Sequence, residues 1–389
     1  MLELFFAFVT IYFSVLFLLV YMEDADKMED PKPTRYPSVD IIVPAYNEEK
    51  HISETINSLL ALQYPGKIRI IVVNDGSTDA TLNVARTFEP RGVLVIDKPN
   101  GGKASAINEG LKFADSELVA ILDADSIVEP DALNFIVGYF EDEKVMAVTP
   151  MMKVWKAHTP VQILQRAEYI LNSFTKKILE QFDSITVTPG PFSVYRRKVF
   201  DELGGFDENT ITEDQEIALR IQKANYKIAS SYGAVVYTDA PRTLSQLFKQ
   251  RKRWYKGFLE NVWKYRQLLH HSYGDLGVFM LPSTIAVIVI GILALFYSIY
   301  RILSSPLTFK INLSTMFFGP SDVVLTMTTL VSFFLVSLAA KKLNESNMVL
   351  LFISTLIMSP LLTLFWLFII IDTLKDKLLG VDLKWKGEG

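Results

Sequence analysis

The sequence contains no cysteine among its 389 residues. Disulfides, thiolate metal sites and cysteine nucleophiles are therefore excluded, and their absence fits a domain that faces a reducing cytosol. The chain also has no excess of basic residues, and its formal net charge is −4. Proteins that bind nucleic acid are usually basic, so we expect no nucleic-acid partner.

Two familiar nucleotide-binding signatures are absent as well. Neither the G-x-x-x-x-G-K spacing of a P-loop nor the G-x-G-x-x-G spacing of a dinucleotide site occurs in the chain. Internal repeats and low-complexity segments are also missing. The chain does have long apolar runs at both ends of a middle region, residues 35–270, whose composition is that of an ordinary globular domain.

The apolar runs have the length of membrane-spanning helices. Leu2–Met22 is about long enough to cross a bilayer. A cleaved signal peptide is the alternative, but the basic n-region and the small-residue cleavage site are missing. Three further runs follow in the last third of the chain, with packing as buried soluble helices as their alternative. They are Leu276–Tyr300, Val323–Ala340 and Met348–Ile371.

These runs predict a multi-pass protein of the cell membrane with a cytosolic central domain. Three spans after that domain would put the C-terminus outside, where Lys375, Lys377, Lys384 and Lys386 conflict with the positive-inside rule. One span is therefore a candidate for a re-entrant or interfacial segment. The predicted parts are a transmembrane helix 1–22, a linker 23–37, a domain 38–242, interface helices 243–275, three transmembrane helices 276–371 and a tail 372–389.

Between Ser38 and Pro150, short β-branched runs alternate with helical stretches. This pattern predicts an α/β fold with a mainly parallel sheet covered on both faces. In such sheets ligands bind at the carboxyl ends of the strands, so the loops after the strands should carry the chemistry. The predicted strands are Val39–Val43, Ile68–Val73, Val93–Ile96, Leu118–Leu122 and Val145–Thr149.

The loop after the fourth predicted strand carries Asp123 and Asp125. Two carboxylates one residue apart at a strand end can face the same side. Their hard oxygens suit Mg²⁺ or Mn²⁺, and a diphosphate would complete the coordination shell. A glycoside hydrolase also pairs two carboxylates, but these two are too close along the chain to flank a scissile bond.

The loops after the second and third strands carry Asp75 and Lys103. Asp75 could hold the base or ribose of a nucleotide. Lys103, which follows two glycines, could pair with a phosphate or with carboxylates beside the nucleotide base. The alternative for the Asp75 loop is an ordinary Asp-Gly turn, with Thr78 or Asp79 capping the next helix.

Two later clusters are also candidates for chemistry. Asp214, beside Glu213, could act as general base on an acceptor hydroxyl, and its single-displacement reaction would invert the anomeric centre; the alternative is a helix start capped by Thr212. The run Gln250–Trp254 offers arginines for diphosphate oxygens and an indole face for a sugar ring. Its alternative is a solvated basic helix beside anionic lipid.

Together these motifs resemble the ordered signature of the membrane-integrated family 2 glycosyltransferases, the group of hyaluronan, cellulose, chitin-oligosaccharide and poly-N-acetylglucosamine synthases. The resemblance implies a GT-A type nucleotide-sugar-binding domain with a mainly parallel mixed sheet, plus transmembrane helices. It also implies inverting transfer of a sugar from a UDP-sugar to a growing β-linked polysaccharide or oligosaccharide, with Mn²⁺ or Mg²⁺. Transfer of a single sugar to a lipid or lipid-linked glycan is the alternative.

The resemblance also implies residue roles. Asp214 is expected to be the catalytic base, with Glu213 beside it, and Asp123 and Asp125 are expected to bind the metal, with Asp125 the favoured direct ligand. Gly190 lies in a loop that resembles the acceptor-side loop, although prolines flank this glycine. The nucleotide-sugar set is Ala45, Tyr46, Glu48, Asp75, Lys103, Asp123, Asp125, Gln250, Arg253 and Trp254, and the acceptor set is Gly190, Trp254 and Thr212.

Overall fold

The computed structural model describes residues 2–23, 28–304, 320–343 and 345–378 of the chain. Part of the predicted linker, 24–27, and the tail from residue 379, with Lys384 and Lys386, lie outside the described residues. The rest of the predicted linker packs on the central domain, where Met28 is fully buried and Asp30 accepts a hydrogen bond from Tyr139 Oη at 2.6 Å.

The central domain is built on one eight-stranded mixed sheet with the order β3-β2-β1-β4-β7-β6-β8-β5. Its strands are β1 Val39–Ala45, β2 Ile68–Asp75, β3 Leu94–Lys98, β4 Leu118–Ile121, β5 Ser126–Val128, β6 Val145–Val154, β7 Ser193–Arg196 and β8 Lys227–Thr238. Strands β1 to β4 run parallel to one another. Strand β7 pairs antiparallel with both β4 and β6, which makes the sheet mixed.

Helices cover both faces of this sheet. The helices of the described chain, including the four at its ends, are α1 Leu2–Glu23, α2 Ile52–Leu60, α3 Thr81–Arg86, α4 Lys103–Leu111, α5 Ala132–Ile136, α6 Pro160–Glu180, α7 Lys198–Leu203, α8 Glu213–Lys223, α9 Leu244–Lys264, α10 Leu281–Ser304, α11 Pro320–Lys342 and α12 Met348–Leu378. Because side chains alternate along a strand, Ile41 packs with α2 on one face and Ile42 with α4 and α8 on the other. Every residue of β1 is consequently buried.

The parallel half of the sheet follows the sequence prediction closely. All five predicted strands form, and β6 continues beyond the predicted end at Thr149 to Val154. Strands β5, β7 and β8 were not predicted. Strand β7 pairs antiparallel with β4 and β6, whereas β8 pairs antiparallel with β5 but parallel with β6. These three strands extend the sheet beyond the simple strand–helix alternation, and their sequences do not share the bounded β-branched runs of β1 to β4.

Four helices lie at the ends of the chain, where the apolar runs occur. Among the described residues, two stretches are long and apolar enough to cross a membrane, Leu276–Tyr297 and Met348–Asp376. The first begins with a π-helical turn, Leu276–Met280, that leads into α10. Helix α1 carries a shorter apolar stretch, Phe8–Glu23.

Candidate active site

Lys103 lies at the centre of the candidate site. Its Nζ atom is 2.5 Å from Asp123 Oδ1 and 3.1 Å from Glu213 Oε1. Lys103 opens α4, Asp123 follows β4, and Glu213 opens α8. One ammonium group therefore joins the ends of three elements that are far apart in sequence, and it brings together two of the predicted carboxylate pairs.

Asp125 sits in an excess of negative charge. Burial, the neighbouring Asp123 and the carboxylate of Glu48 together raise the pKa of Asp125 to about 7. Thr55 Oγ1 donates to the carbonyl of Ala124 at 2.7 Å and so holds the turn between the two aspartates. A divalent cation would relieve this excess charge, so the residues present fit the expected metal.

The protein supplies few ligands of its own for such a cation. Among residues 2–23, 28–304, 320–343 and 345–378, no group of three or more histidine, aspartate or glutamate side chains is arranged to hold a metal ion. Asp123 is already paired with Lys103. Oxygen atoms from a bound diphosphate would therefore be needed to complete the shell around Asp123 and Asp125.

Glu213 and Asp214 have different protonation energetics although they are adjacent. Burial and the negative charge of Glu213 raise the pKa of Asp214 to about 6. Burial acts against ionisation of Glu213 too, but Lys103 and Arg253 outweigh it and lower the pKa of Glu213. Asp214 is therefore the more basic carboxylate of the two, and its Oδ1 atom accepts one hydrogen bond, from the Gln215 amide at 2.8 Å.

Helix α9 holds the segment that precedes these two acids. Thr212 occupies the N-cap position of α8 but makes no side-chain capping bond, so the predicted cap is wrong. Its Oγ1 atom instead accepts a hydrogen bond from Asn261 Nδ2 at 3.0 Å. Gly257 permits this close approach, because a Cβ atom there would lie 2.3 Å from Thr212 Oγ1. Thr212 is buried, and its hydroxyl is engaged by α9.

The loop with Gly190 passes directly over the Lys103–Asp123 pair. A Cβ atom at Gly190 would lie 2.4 Å from Lys103 Nζ and 2.5 Å from Asp123 Oδ2. Two residues later, the buried Phe192 adopts a left-handed backbone with φ of 61°. Ser193 Oγ closes the turn by donating to the Pro189 carbonyl at 2.6 Å. Residues held in this strained conformation cluster at functional sites.

Asp75 is bonded within the chain. Its carboxylate accepts from Lys98 Nζ at 2.6 Å and from the amides of Gly101 and Gly102 at 3.0 and 2.8 Å. The side chain is almost fully buried. Asp75 therefore fixes the loop that leads into Lys103. The alternative proposed for this region also has support, since Asp79 Oδ1 accepts from the Thr81 amide at the start of α3.

The loop after β1 is tied to the loop after β2. The Asn47 amide donates to Ser77 Oγ at 3.0 Å, and Asn47 Oδ1 accepts from the Thr78 amide at 2.9 Å. Sequence reasoning missed Asn47, whose signal was its place between the predicted residues Tyr46 and Glu48. Of the predicted set, Ala45 is buried in the sheet and Tyr46 is exposed.

Glu48 faces the acidic cluster. Burial is the largest influence on its carboxyl and raises the pKa of Glu48, with a smaller contribution from the charge of Asp123. His51 Nδ1 lies 2.9 Å from Glu48 Oε2. A cavity of about 290 Å³ opens beside Asp125 at this point, and its lining includes Lys50, His51, Trp155, Lys156 and Arg242.

Helix α9 carries the predicted motif Gln250-x-x-Arg253-Trp254. Arg253 acts electrostatically on both Glu213 and Asp214, which brings this motif to the acidic cluster. Arg251, in the same run and considered together with Arg253 for diphosphate oxygens, has other partners in the structure. It is buried, pairs with Glu168 at 2.8 Å and lies 4.1 Å from the ring centroid of Trp254.

Lys176 was also missed. Burial lowers the pKa of this α6 lysine to about 8, against the opposing influence of Asp214. No motif in the sequence marks it, because its relation to Asp214 depends on how α6 packs against the sheet. The charge of Lys176 is therefore coupled to that of Asp214, a relation that spacing along the sequence did not predict.

The mixed sheet with acidic side chains at its strand ends is the GT-A type of fold. A solved structure with this fold is the mannosyltransferase PcManGT from Pyrobaculum calidifontis in complex with GDP-Man and Mn²⁺. It superposes with a TM-score of 0.56 at 22% identity and covers 88% of this chain and 99% of its own. The expected fold class is confirmed.

A family model described as "Glycosyltransferase like family 2" matches residues 37–257. The chain therefore belongs to glycosyltransferase family 2, as the motifs indicated. The poly-beta-1,6-N-acetyl-D-glucosamine synthase of Staphylococcus epidermidis is 30% identical over 223 residues, which are 56% of this chain and 54% of that protein. The probable glycosyltransferase YdaM of Bacillus subtilis is 30% identical over 231 residues, 57% and 55% of the two chains. The chain thus spans about half the length of the curated relatives it matches.

Proposed function

We propose that the protein is an inverting glycosyltransferase that moves a sugar from a UDP-sugar to a growing β-linked polysaccharide or oligosaccharide. The observation that carries this proposal is the pair of contacts made by Lys103, to Asp123 on one side and Glu213 on the other. A donor diphosphate bound at Asp123 and an acceptor hydroxyl bound near Glu213 and Asp214 would lie in one site, as direct transfer requires.

Asp214 is the proposed general base. With a pKa of about 6 it is ionised at neutral pH, and it remains basic enough to take a proton from an acceptor hydroxyl. The hydroxyl oxygen would attack the anomeric carbon opposite the departing diphosphate, which inverts that centre. Glu213, whose pKa is lowered, would stay ionised and hold Lys103 in place.

The leaving diphosphate would face positive charge from Lys103 and Arg253. Charged groups fixed in advance where negative charge develops make a large contribution to catalysis. Asp123 and Asp125 would hold Mn²⁺ or Mg²⁺, which would neutralise charge on the departing nucleoside diphosphate. The Mn²⁺ bound to the mannosyltransferase with the same fold supports this choice of cofactor.

A lipid-linked acceptor is the second candidate, and one cleft favours it. A cleft of about 300 Å³ lies between α6, α9, α10 and α12, with apolar walls and Glu168 and Asn172 near the domain. Its lining includes Leu171, Val287, Ile288, Met358 and Leu362. Such walls suit the hydrocarbon part of an acceptor, while the polar end suits its head group.

Membrane attachment is part of the proposal. The apolar stretches of α1 and α10 support it, together with the exposed apolar side chains Phe8, Leu19, Val287 and Leu293. The catalytic domain would then lie on the cytosolic side, where nucleotide sugars are available.

The test is nucleotide release by the purified full-length protein in detergent or lipid vesicles. The donor panel would contain UDP-N-acetylglucosamine, UDP-glucose and GDP-mannose, each with Mn²⁺ or with a chelator. We expect metal-dependent release with a UDP-sugar and a product of several units when a short glycan acceptor is supplied. Release with GDP-mannose alone would overturn the donor assignment. Single addition to a lipid extract would favour the second candidate.

A further inference from the structure

Helix α12 has the length and hydropathy of a membrane span, but both of its ends contact the catalytic domain. Just before the helix, Glu345 pairs with Arg166 of α6 and lies 4.0 Å from Lys153 of β6. At the other end, ion pairs join it to α9. Asp372 lies 2.9 Å from Lys252, and Asp376 lies 2.5 Å from Lys256.

The middle of α12 also lies against domain helices. Its buried residues form one stripe, Leu351, Ser354, Met358, Phe365 and Ile369. Leu351 shares a core cluster with Ile170 and Phe174 of α6, and Met358, Phe365 and Ile369 share another with Leu247 of α9. Trp366 stacks on Tyr255 of α9 with ring centroids 3.9 Å apart and planes at 6°. Helix α12 thus follows the surface of the domain along its length.

Helices α6 and α9, against which α12 packs, cannot lie in the hydrocarbon core of a bilayer. The fully buried Lys177 of α6 donates to the Ser230 carbonyl of β8 at 2.9 Å, so α6 is anchored to the sheet. Helix α9 exposes Lys249 and Arg253 and carries Lys252 and Lys256, and charges of this kind are costly in a bilayer core. A helix of about 38 Å between Leu351 and Asp376 would have to leave this charged surface in order to cross a hydrocarbon layer of about 30 Å.

Helices α1 and α10 behave differently. Phe13 of α1 stacks on Phe279 at 6.0 Å, and Phe6 lies 6.2 Å from Tyr297. The two helices therefore run antiparallel to each other, as a pair of spans would. Their contacts with the domain lie near one end of the pair, where Tyr21 of α1 meets Phe174 of α6 and Val287 of α10 borders the cleft described above. The contrast shows that apolar length alone does not distinguish the orientation of α12 from that of α10.

We propose that α12 is an interfacial helix that lies in the plane of the membrane and returns the chain end to the side of the catalytic domain. Its outer face is apolar, with Ile353, Leu356, Ile357, Phe368 and Ile371 exposed, and this face contacts the lipid of the bilayer. This orientation rests on the membrane attachment proposed above. It removes the conflict with the positive-inside rule, because Lys375 then lies on the cytosolic side.

The absence of native cysteine allows a direct test. Ser346→Cys and Lys375→Cys place thiols at exposed positions before and near the end of α12. Lys112→Cys, exposed on the catalytic domain, and Leu303→Cys, exposed at the far end of α10, are the references for the two sides. Each full-length variant is placed in sealed vesicles of known orientation and treated with a membrane-impermeant maleimide, and its transferase activity is checked.

We expect Ser346→Cys and Lys375→Cys to react from the same side as Lys112→Cys, and Leu303→Cys from the opposite side. Reaction of Lys375→Cys from the side of Leu303→Cys would overturn the in-plane orientation and leave membrane insertion intact. Reaction of all four variants from one side would overturn membrane spanning itself and, with it, this inference. If Lys375→Cys is poorly folded, Leu378→Cys, also exposed, reports on the same end.

Discussion

Asp75, at the end of β2, and Asp214, at the start of α8, are both acids with predicted functional roles, but the structure gives them opposite surroundings. The carboxylate of Asp75 accepts hydrogen bonds from Lys98 and from two backbone amides. Asp214 has one backbone amide on its carboxylate, a second acid beside it, and a pKa raised to about 6. Asp75 thus accepts hydrogen bonds from several donors, whereas burial and the neighbouring Glu213 disfavour the charged form of Asp214.

We expect this difference to separate an acid with a mainly structural role, Asp75, from one with a chemical role, Asp214. A buried carboxylate with several donors stabilises the loop that contains it, and its removal should mainly affect folding. A buried carboxylate beside another negative charge is held at the expense of stability, which is common where a base must be poised near neutral pH. From sequence motifs alone, Asp75 and Asp214 are equally good candidates for a role in the chemistry. Three substitutions test the comparison, from the largest expected effect to the smallest.

Asp214→Asn should have the largest effect on turnover. Loss of a general base should lower kcat by about 10²- to 10⁴-fold. Because the pKa of Asp214 is raised in the fold, its ionised form opposes folding at neutral pH, so the melting temperature should stay the same or rise. Nucleotide binding, measured by calorimetry, should be unchanged. Asp201→Asn, at an exposed carboxylate of α7, is the matched control.

Gly190→Ala should have an intermediate effect. The added methyl group would push apart Lys103 and Asp123, which lie within 2.6 Å of its position. Displacement of these groups should lower kcat by about 10- to 10²-fold. Steady-state kinetics and thermal unfolding would be measured together. Full activity in a stable variant would contradict the close approach of this loop to the ion pair.

Asp75→Asn should affect stability more than chemistry. The substitution removes the negative charge that pairs with Lys98 and puts an amide donor where one carboxylate oxygen now accepts. It should lower the free energy of unfolding by about 1–3 kcal/mol, as measured by denaturant titration. Asp115→Asn, at an exposed carboxylate, should cost less than about 1 kcal/mol. If Asp75→Asn keeps its stability but loses all turnover, Asp75 has a chemical role like that of Asp214, and the comparison fails.

The parallel half of the fold could be predicted because each of its strands is a short β-branched run and each helix follows a loop. Strands β7 and β8 could not, since their partners β4 and β6 are distant in sequence. The same limit applies to the site. Asp123, Asp125, Glu213 and Asp214 stand in recognisable motifs, whereas Lys176 and Glu168 reach the site only through the packing of α6.

The interaction partners of individual side chains could not be predicted from the sequence either. Lys103 was expected to pair with a phosphate or with carboxylates beside the nucleotide base, and in the structure its partners are two other carboxylates, Asp123 and Glu213. Thr212 was considered as a helix cap, but its hydroxyl bonds to Asn261 of α9. Both outcomes depend on distances between elements that no local pattern encodes. The residue types were predictable, and their contacts were not.

The central claim is that Asp214 is the base and that burial and, after it, the charge of Glu213 raise its pKa. The most direct test is the pH dependence of kcat in the wild type and in Glu213→Gln. The base must be ionised, so the wild-type kcat should be retained above about pH 6 and fall as the pH drops through that value. Removal of the Glu213 charge should lower the pKa of Asp214 and move this limb to lower pH. An acid limb that stays in place in Glu213→Gln, or that persists unchanged in the residual activity of Asp214→Asn, would contradict the account.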